Sequence, residues 1–364
     1  MKKTLIALAL VSLPVAAMAD VTLYGQLKGG VDFKQTKVAS HKDGTTTNVG
    51  DYGSRIGFKG FEDLGNGLKA IWQVEQSVSL AGSTSTGWSN RETFVGLEGG
   101  FGKIRVGNLD NFAKSDMETT DGWEYASPAL GLGIFNNNNN RYGQSIRYDS
   151  PEFAGFYGSL QYTNSDDRTN DRKAENGGMN IKGQDDAAVY GVGLGYNYGP
   201  YFAKYAFTLD KAGYTTKGGE RKDTQIHRVE GGYDANNLLV AVGYEYGKGV
   251  QSFRDAFLDQ ESGVEANPTV NSGDAVKSHQ VAVTGEYTMG NLTPRATYAH
   301  GFKEKKAADS VKNDNSKYDQ VIIGADYALS KRTTALVSAG WLRIGKGEGK
   351  VEQTAGSVGL RHKF

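Results

Sequence analysis

The strongest constraint on the fold is an alternation of apolar and polar side chains that recurs along almost the whole chain. Successive side chains of a β-strand point to opposite faces of the sheet, so this two-residue period predicts strands. In the first such segment, residues 21–33, the alternating apolar positions include Leu23, Leu27 and Val31. A soluble sandwich alternates in the same way with its apolar face inward, so the local pattern leaves open which face meets which solvent.

Segment length is the second constraint. The chain has sixteen alternating segments, each of about the 9–11 residues that a tilted transmembrane strand needs. The predicted strands are 21–33, 51–61, 66–77, 90–99, 102–108, 142–150, 154–163, 188–199, 201–210, 224–234, 237–247, 278–289, 292–302, 317–329, 331–345 and 352–364. Residues 20–364 contain no apolar run of transmembrane-helix length. A membrane-embedded form would therefore have to close into a barrel, because lipid cannot satisfy an open sheet edge.

Long and short connections alternate between these segments. Tight turns include Glu62-Asp63-Leu64-Gly65, Gly199-Pro200 and Met289-Gly290-Asn291. The long connections are polar and cover 34–50, 78–89, 109–141, 164–187, 211–223, 248–277 and 303–316, with a shorter one at 346–351. This pattern is typical of an even-stranded transmembrane barrel with tight turns at one end and long loops at the other. The sequence thus predicts an all-β, sixteen-stranded antiparallel transmembrane β-barrel.

The amino terminus has the three parts of a bacterial secretory signal peptide. Met1-Lys2-Lys3 is positively charged, an apolar run follows, and Ala17-Met18-Ala19 is a small-residue cleavage site. We therefore predict a signal peptide at 1–19 and one barrel domain at 20–364. Removing two lysines changes 41 Lys+Arg to 39 against 41 Asp+Glu, a net charge near −2. That balance lacks the basic excess of a nucleic-acid binder.

The sequence predicts no catalytic, metal or cofactor site. The chain has no cysteine, so neither a disulfide framework nor a thiolate metal site can form. Its five histidines are scattered without ligand spacing, and no Ser/His/acid or paired-acid constellation is evident. Glycines at 191, 193 and 195 do not precede a helix, so they form a thin strand face, which we place at a subunit contact.

Several blocks of sequence resemble the neisserial outer-membrane porins of the PorA and PorB types, within the Gram-negative general porin family. The blocks are Asp20–Gly25, Ile56–Gly60, Glu62–Ala70, Arg147–Phe153, Pro294-Arg295, Tyr298–Phe302, Ser330–Thr333 and Gly359–Phe364. The resemblance implies a homotrimer in the cell outer membrane, a third loop folded into the lumen, and passive diffusion of small hydrophilic solutes and ions. The last strand ends on the aromatic Phe364, which resembles the signal that the outer-membrane assembly machinery reads.

The resemblance assigns 109–141 to the third loop, the constriction loop. At about 33 residues it is the longest connection, and its carboxylates outnumber its single lysine, Lys114. The acidic candidates are Asp110, Asp116, Glu118, Asp121 and Glu124. Inside the lumen this loop would narrow a water-filled bore and give one side of it negative charge.

Alternation supplies basic candidates for the opposite wall. Where Ile56 and Phe58 face lipid, the intervening side chains face inward, and the same argument applies to 102–108 and 144–150. In 90–99, placing Phe94 on the lipid face would turn Arg91 inward. The basic candidates are Arg55, Lys59, Arg91, Lys103, Arg105 and Arg147. A charge facing lipid at mid-membrane costs roughly 2–4 kcal/mol, so the membrane alone would turn these side chains inward.

Some properties stay open at this stage. A substrate-specific channel and a surface adhesin or receptor could be built on the same barrel. Ion preference is undecided, although Leu132-Gly133-Ile134-Phe135 and Asn108 favour the cation-selective PorA type. The asparagine run at 136–140 is predicted to be a flexible polar segment before the next strand.

Overall fold

A computed structural model describes residues 21–364, apart from 39–40, 43, 83–88, 124–126, 165–187, 217–218, 263–274, 309–314 and 348–349. The first eight strands are β1 Thr22–Val38, β2 His41–Lys42, β3 Thr46–Asp51, β4 Arg55–Gly65, β5 Leu68–Ser77, β6 Thr93–Gly99, β7 Gly102–Asp110 and β8 Arg141–Asp149. Next come β9 Phe156–Asn164, β10 Ala188–Tyr198, β11 Tyr201–Thr215, β12 Arg221–Ala235, β13 Leu238–Val250 and β14 Val276–Tyr287. The last are β15 Leu292–Gly301, β16 Lys305–Lys306, β17 Tyr318–Ala328, β18 Thr333–Ile344 and β19 Val351–Lys363. Two helices are α1 Phe112–Asp116 and α2 Phe253–Ser262.

These strands close into one antiparallel barrel. β2, β3 and β4 all pair with β1 and act together as one barrel strand, and β16 continues β15 beside β14. The final strand β19 pairs with β1 from Gln26↔Lys363 to Val38↔Val351, and the Gly25 amide donates to the Phe364 carbonyl over 3.1 Å. Within the described residues the barrel therefore has sixteen strands, and the predicted fold class is confirmed.

The faces of the barrel settle which solvent each side meets. Large apolar side chains such as Leu194, Ile323 and Val358 are exposed on the outside. Charged and amide side chains such as Arg228 and Gln353 are buried on the inside. The arrangement reverses that of a soluble sandwich and fits a barrel with lipid outside and a polar lumen.

Several boundaries differ from the sequence prediction. β11 and β12 run on to Thr215 and from Arg221, so much of the predicted loop 211–223 belongs to an extended hairpin. Both helices lie in connections that were predicted to be loops. No helix in the described ranges is long and apolar enough to cross a membrane. The predicted signal peptide lies outside the described residues.

Candidate pore constriction

The connection between β7 and β8 is fixed at both ends. β7 and β8 pair from Lys103↔Asp149 to Asp110↔Arg141, so residues 111–140 leave and re-enter the wall side by side. The loop opens with α1, whose N-cap Asn111 accepts a hydrogen bond from the Lys114 amide through its side chain, over 2.9 Å. Capping by asparagine satisfies an amide that the short helix leaves free.

From α1 onward the loop lies against inward-facing side chains of the second half of the barrel. Lys204 of β11 donates to the Asp116 carbonyl over 2.6 Å. Gln320 of β17 donates to the carbonyls of Pro128 and Gly131, both over 2.8 Å. These are contacts between a loop and the inside of a barrel, so this segment crosses the lumen along one wall.

An apolar cluster lies beneath the loop. Leu132, Ile134 and Phe135 are fully buried against alanine, isoleucine and leucine side chains of the wall. Burial of each large side chain contributes roughly 1.5–3 kcal/mol. Two inward glycines permit the close approach, because a Cβ at Gly243 would lie 2.9 Å from the Phe135 ring and one at Gly340 would overlap the carbonyl before Leu130.

The asparagine run at 136–140 is bonded to the barrel wall where the loop contacts it. Arg228, fully buried on β12, donates to the side-chain oxygens of Asn139 over 2.8 Å and Asn136 over 2.7 Å. Asn138 donates to Glu245 on β13 over 2.6 Å. The prediction of a flexible segment was wrong, because each of these amides has a buried charged partner in the wall.

The thin glycine face of β10 is also explained by the loop. A Cβ at Gly193 would overlap the ring of Phe112 in α1, and one at Gly195 would overlap Tyr157. Both glycines therefore face the lumen, and their predicted place at a subunit contact was wrong. The apolar ring of α1 needs that space inside the barrel.

The first half of the barrel carries the charged wall. At its β4–β5 end, Glu75 lies between two cations: Arg55 Nε is 3.7 Å from its carboxylate, and Arg91 forms a shorter ion pair with it. Arg91 reaches the lumen because β6 begins only at Thr93. The prediction that Phe94 faces lipid was wrong, because its ring faces inward beneath Arg105, 5.1 Å from the guanidinium. Arg91 faces inward all the same, through its ion pair with Glu75.

The wall continues through Arg105 to Arg147. Arg105 pairs with Glu92 at 2.9 Å and with Asp149 at 2.7 Å. Asp149 in turn pairs with Arg147 at 2.7 Å. Each of these charges has a partner of opposite sign within ion-pair distance, so cations and carboxylates alternate along the wall.

Arg147 joins this wall to the loop. It pairs with Asp116 at 3.0 Å and donates to the Asp110 carbonyl and the Ser115 hydroxyl, both over 2.8 Å. The Asp110 carboxylate itself pairs with Arg141 at 2.7 Å. These ion pairs, called the network below, involve five arginines (55, 91, 105, 141, 147) and five carboxylates (75, 92, 110, 116, 149).

The remaining candidates lie apart from this network. Lys59 lies 5.2 Å from the Tyr24 ring. Lys103 lies on the same strand as Arg105, two residues closer to the tight turn that precedes β7. Both lysines are exposed. Glu118 accepts from Asn139 over 3.2 Å, and Asp121 accepts from Asn136. These two carboxylates are therefore partnered within the loop. Glu124 lies outside the described residues.

Sequence reasoning missed the acidic members of the charged wall. Glu75 pairs across the sheet with Gly57, on the inward face, and Asp149 has the same parity as Arg147. The alternation rule that turned the arginines inward applies equally to these carboxylates, so the signal was present. Glu92 could not be found this way, because it lies before β6 rather than on it.

A closed barrel with a polar lumen, an apolar exterior and an internal loop is the architecture of an outer-membrane diffusion channel. The family model for Gram-negative porins matches residues 25–364, and the chain belongs to that family. It is similar to the major outer membrane protein P.IB of Neisseria sicca, 46% identical with 100% of both chains covered. The neisserial resemblance is thereby confirmed, and with it an outer-membrane channel rather than an enzyme.

Solved structures agree with the fold. The anion-selective porin from Comamonas acidovorans superposes with a TM-score of 0.69 at 22% identity, covering 95% of this chain and 100% of that one. OmpT of Vibrio cholerae, in a trimer form, gives a TM-score of 0.61 at 15% identity, covering 95% and 99%. No group of three or more potential metal-ligating side chains occurs among the residues that the structure describes.

Proposed function

We propose that this porin conducts small hydrophilic solutes and ions through the space between the loop at 111–140 and the charged wall of β4–β8. The observation that carries the proposal is the position of the loop: apart from the contacts of Arg147 with its first turn, it is bonded mainly to β11–β19, which leaves Arg55, Arg91 and Arg105 beside the bore. No bond is made or broken. Passage is limited by size and by the fixed charges that a permeating ion meets.

Two charges in this network stand out by exposure. Arg55 on the wall has the most exposed arginine side chain of the network, at 36%. Asp116 on the loop has the most exposed carboxylate, at 30%. A cation on one side and an anion on the other produce a field across the bore, and low-dielectric walls focus it. Because the network has equal numbers of both signs, we expect a weak ion preference set by these two side chains.

The functional unit is a homotrimer in this proposal, supported by the family and by the trimer form of the OmpT structure. β19, followed by the terminal Phe364 beside Gly25, is the segment that the assembly machinery would engage. Single-channel recording of the purified protein in planar bilayers under a salt gradient tests the proposal. Conductance steps in threes that scale with salt support it, whereas a folded barrel that passes no current contradicts it.

The same recordings separate general diffusion from a substrate-specific channel. General diffusion predicts that sugar or amino-acid solutes reduce the current only in proportion to bulk conductivity. A current that saturates at low solute concentration would instead indicate a specific binding site in the lumen.

A further inference from the structure

Helix α2, Phe253–Ser262, lies in the long connection between β13 and β14, at the loop end of the barrel. One face of this helix is buried: Phe253, Ala256 and Phe257 are each almost inaccessible, with Phe257 at 1% exposure. The next residue, Leu258, is 48% exposed. This difference in exposure between its two faces shows that the helix packs its apolar face against another part of the protein.

The buried face of α2 packs on the constriction loop. Phe253 and Phe257 belong to the same apolar cluster as Leu132, Ile134 and Phe135. A Cβ at Gly133 of the loop would overlap the side-chain amide of Gln260 on the helix, so the loop backbone is in contact with this side chain. The loop is thus enclosed between the barrel wall on one side and α2 on the other.

The carboxyl-terminal end of α2 is bonded to the wall. Glu261 accepts from Lys34 of β1 over 2.6 Å and from Gln353 of β19 over 2.7 Å. Gln353 also accepts from the Ala129 amide over 3.1 Å. One wall glutamine therefore contacts both the helix and the constriction loop.

The amino-terminal end is held as firmly. The Phe253 amide donates to the buried Glu304 carboxylate over 2.8 Å. Ser252 accepts from the Asp255 amide over 3.2 Å, which caps the first turn. Glu304 is positioned in turn by the Ser316 hydroxyl, which accepts from its amide over 2.7 Å.

From these contacts we infer that α2 is a second element of the constriction. By covering Leu132–Phe135 it holds the loop in position, so Phe257 and Glu261 are positioning residues for conductance and ion selectivity. The inference rests on the proposed function and goes beyond it, since it assigns part of the pore's properties to a different surface loop. Without α2 the apolar cluster of the loop would face water, which favours rearrangement of the loop.

The test compares two adjacent substitutions in the full-length trimer, Phe257→Ala and Leu258→Ala. Phe257→Ala removes the buried ring, and we expect open-channel noise and time in subconductance states to rise at least twofold, with a shifted reversal potential. Leu258→Ala lies on the exposed side of the same turn. It should leave the open-channel noise, the time in subconductance states and the reversal potential as in the unmodified protein. Phe257→Leu should keep the open-channel noise low, because leucine fills most of the apolar volume that the phenylalanine ring occupies.

A second experiment uses the absence of native cysteines. In a Phe257→Ala background, Lys34→Cys and Glu261→Cys are joined with a bifunctional thiol reagent. Tethering α2 to β1 should return the noise towards the unmodified value. A Phe257→Ala trimer that is folded and conducts with unchanged noise, substates and reversal potential overturns the inference. An unmodified protein that does not conduct overturns the proposed function instead.

Discussion

The two walls of the lumen contrast in chemistry and in what covers them. The wall of β4–β8 carries arginines and carboxylates in alternation, and it is left beside the bore. The wall of β11–β19 is covered by the loop. It meets the loop with amides, hydroxyls and glycines, such as Gln320, Thr284 and Gly340, and also with paired charges such as Arg228 and Arg295. The same two-residue alternation turns polar groups inward on both walls, and the walls differ in how far the loop covers them.

Covering charged groups costs more than covering amides, because charge must be removed from water. A buried amide needs only one or two hydrogen-bond partners, which loop carbonyls supply, whereas a buried charge needs a complete ion pair. The covered wall contains buried ion pairs too, and the most deeply buried of those described is Arg228 with Glu245 at 3.8 Å. There the asparagines of the loop complete the set of partners.

The largest effect is expected from Arg228→Ala on the covered wall. Removing one partner of a buried ion pair costs roughly 3–5 kcal/mol, because the remaining charge is left uncompensated. Glu245 and two loop asparagines would lose their cation. We expect a lower urea midpoint and an enlarged, noisier conductance. Arg55→Ala on the charged wall is the control, and equal destabilisation by both would contradict the contrast between the walls.

Gly340→Val should displace the loop without changing any charge. A side chain at this position would meet the Ala129 carbonyl, and overpacking typically costs 1–3 kcal/mol. Single-channel conductance should rise as the loop moves off the wall. Gly356→Val on the neighbouring strand is the matched control, because its Cβ would meet only the Ser338 carbonyl at 3.8 Å. If both variants conduct alike, the loop is not seated on β18.

Glu304, at the loop end of the covered wall, makes stability depend on pH. Burial raises the pKa of Glu304 to about 8, and neighbouring Asp255 adds to the rise while the Phe253 amide opposes it. The folded state therefore binds more protons than the unfolded state between about pH 4.5 and 8. Stability should fall as pH rises through this window, by at most about 1.4 kcal/mol per pH unit.

Melting temperatures of the native protein and of Glu304→Gln, taken at pH 5.5 and 8.5, test this dependence. The native protein should lose stability at the higher pH, and the variant should lose less. An identical pH response in both proteins would show that Glu304 does not carry the dependence.

The smallest effects concern the two exposed charges. Arg55→Gln should shift the permeability ratio towards cations and Asp116→Asn towards anions. Near water a unit charge at 4 Å is worth about 1 kcal/mol, so each shift should not exceed roughly fivefold. Screening should shrink both shifts at high salt. Reversal potentials at two ionic strengths measure this, and shifts of the same sign would contradict opposed charges across the bore.

The barrel could be predicted from the sequence because its determinants are local. Strand period, strand length and the lengths of the connections are all read from short windows. The inward positions of Arg55, Arg105 and Arg147 followed from the same parity, and those of Glu75 and Asp149 could have been predicted in the same way. The position of the loop against the wall could not be predicted, because it depends on contacts between distant residues: Arg228 and Asn139 are 89 positions apart in the chain. Helix α2 was predicted to be part of a loop for the same reason: its weakly amphipathic sequence gains stability from contacts with the apolar cluster, whose other residues are distant in the chain.

The most direct test asks which wall the bore exposes. Because the chain has no cysteine, Arg55→Cys marks the charged wall and Thr284→Cys the covered wall, where Thr284 is fully buried and bonded to the loop carbonyl of Thr120. A water-soluble, charged thiol reagent is added during recordings from trimers of each variant. Our account predicts stepwise loss of current with Arg55→Cys and unchanged current with Thr284→Cys. Equally rapid modification of both positions would show that the loop does not cover the second wall.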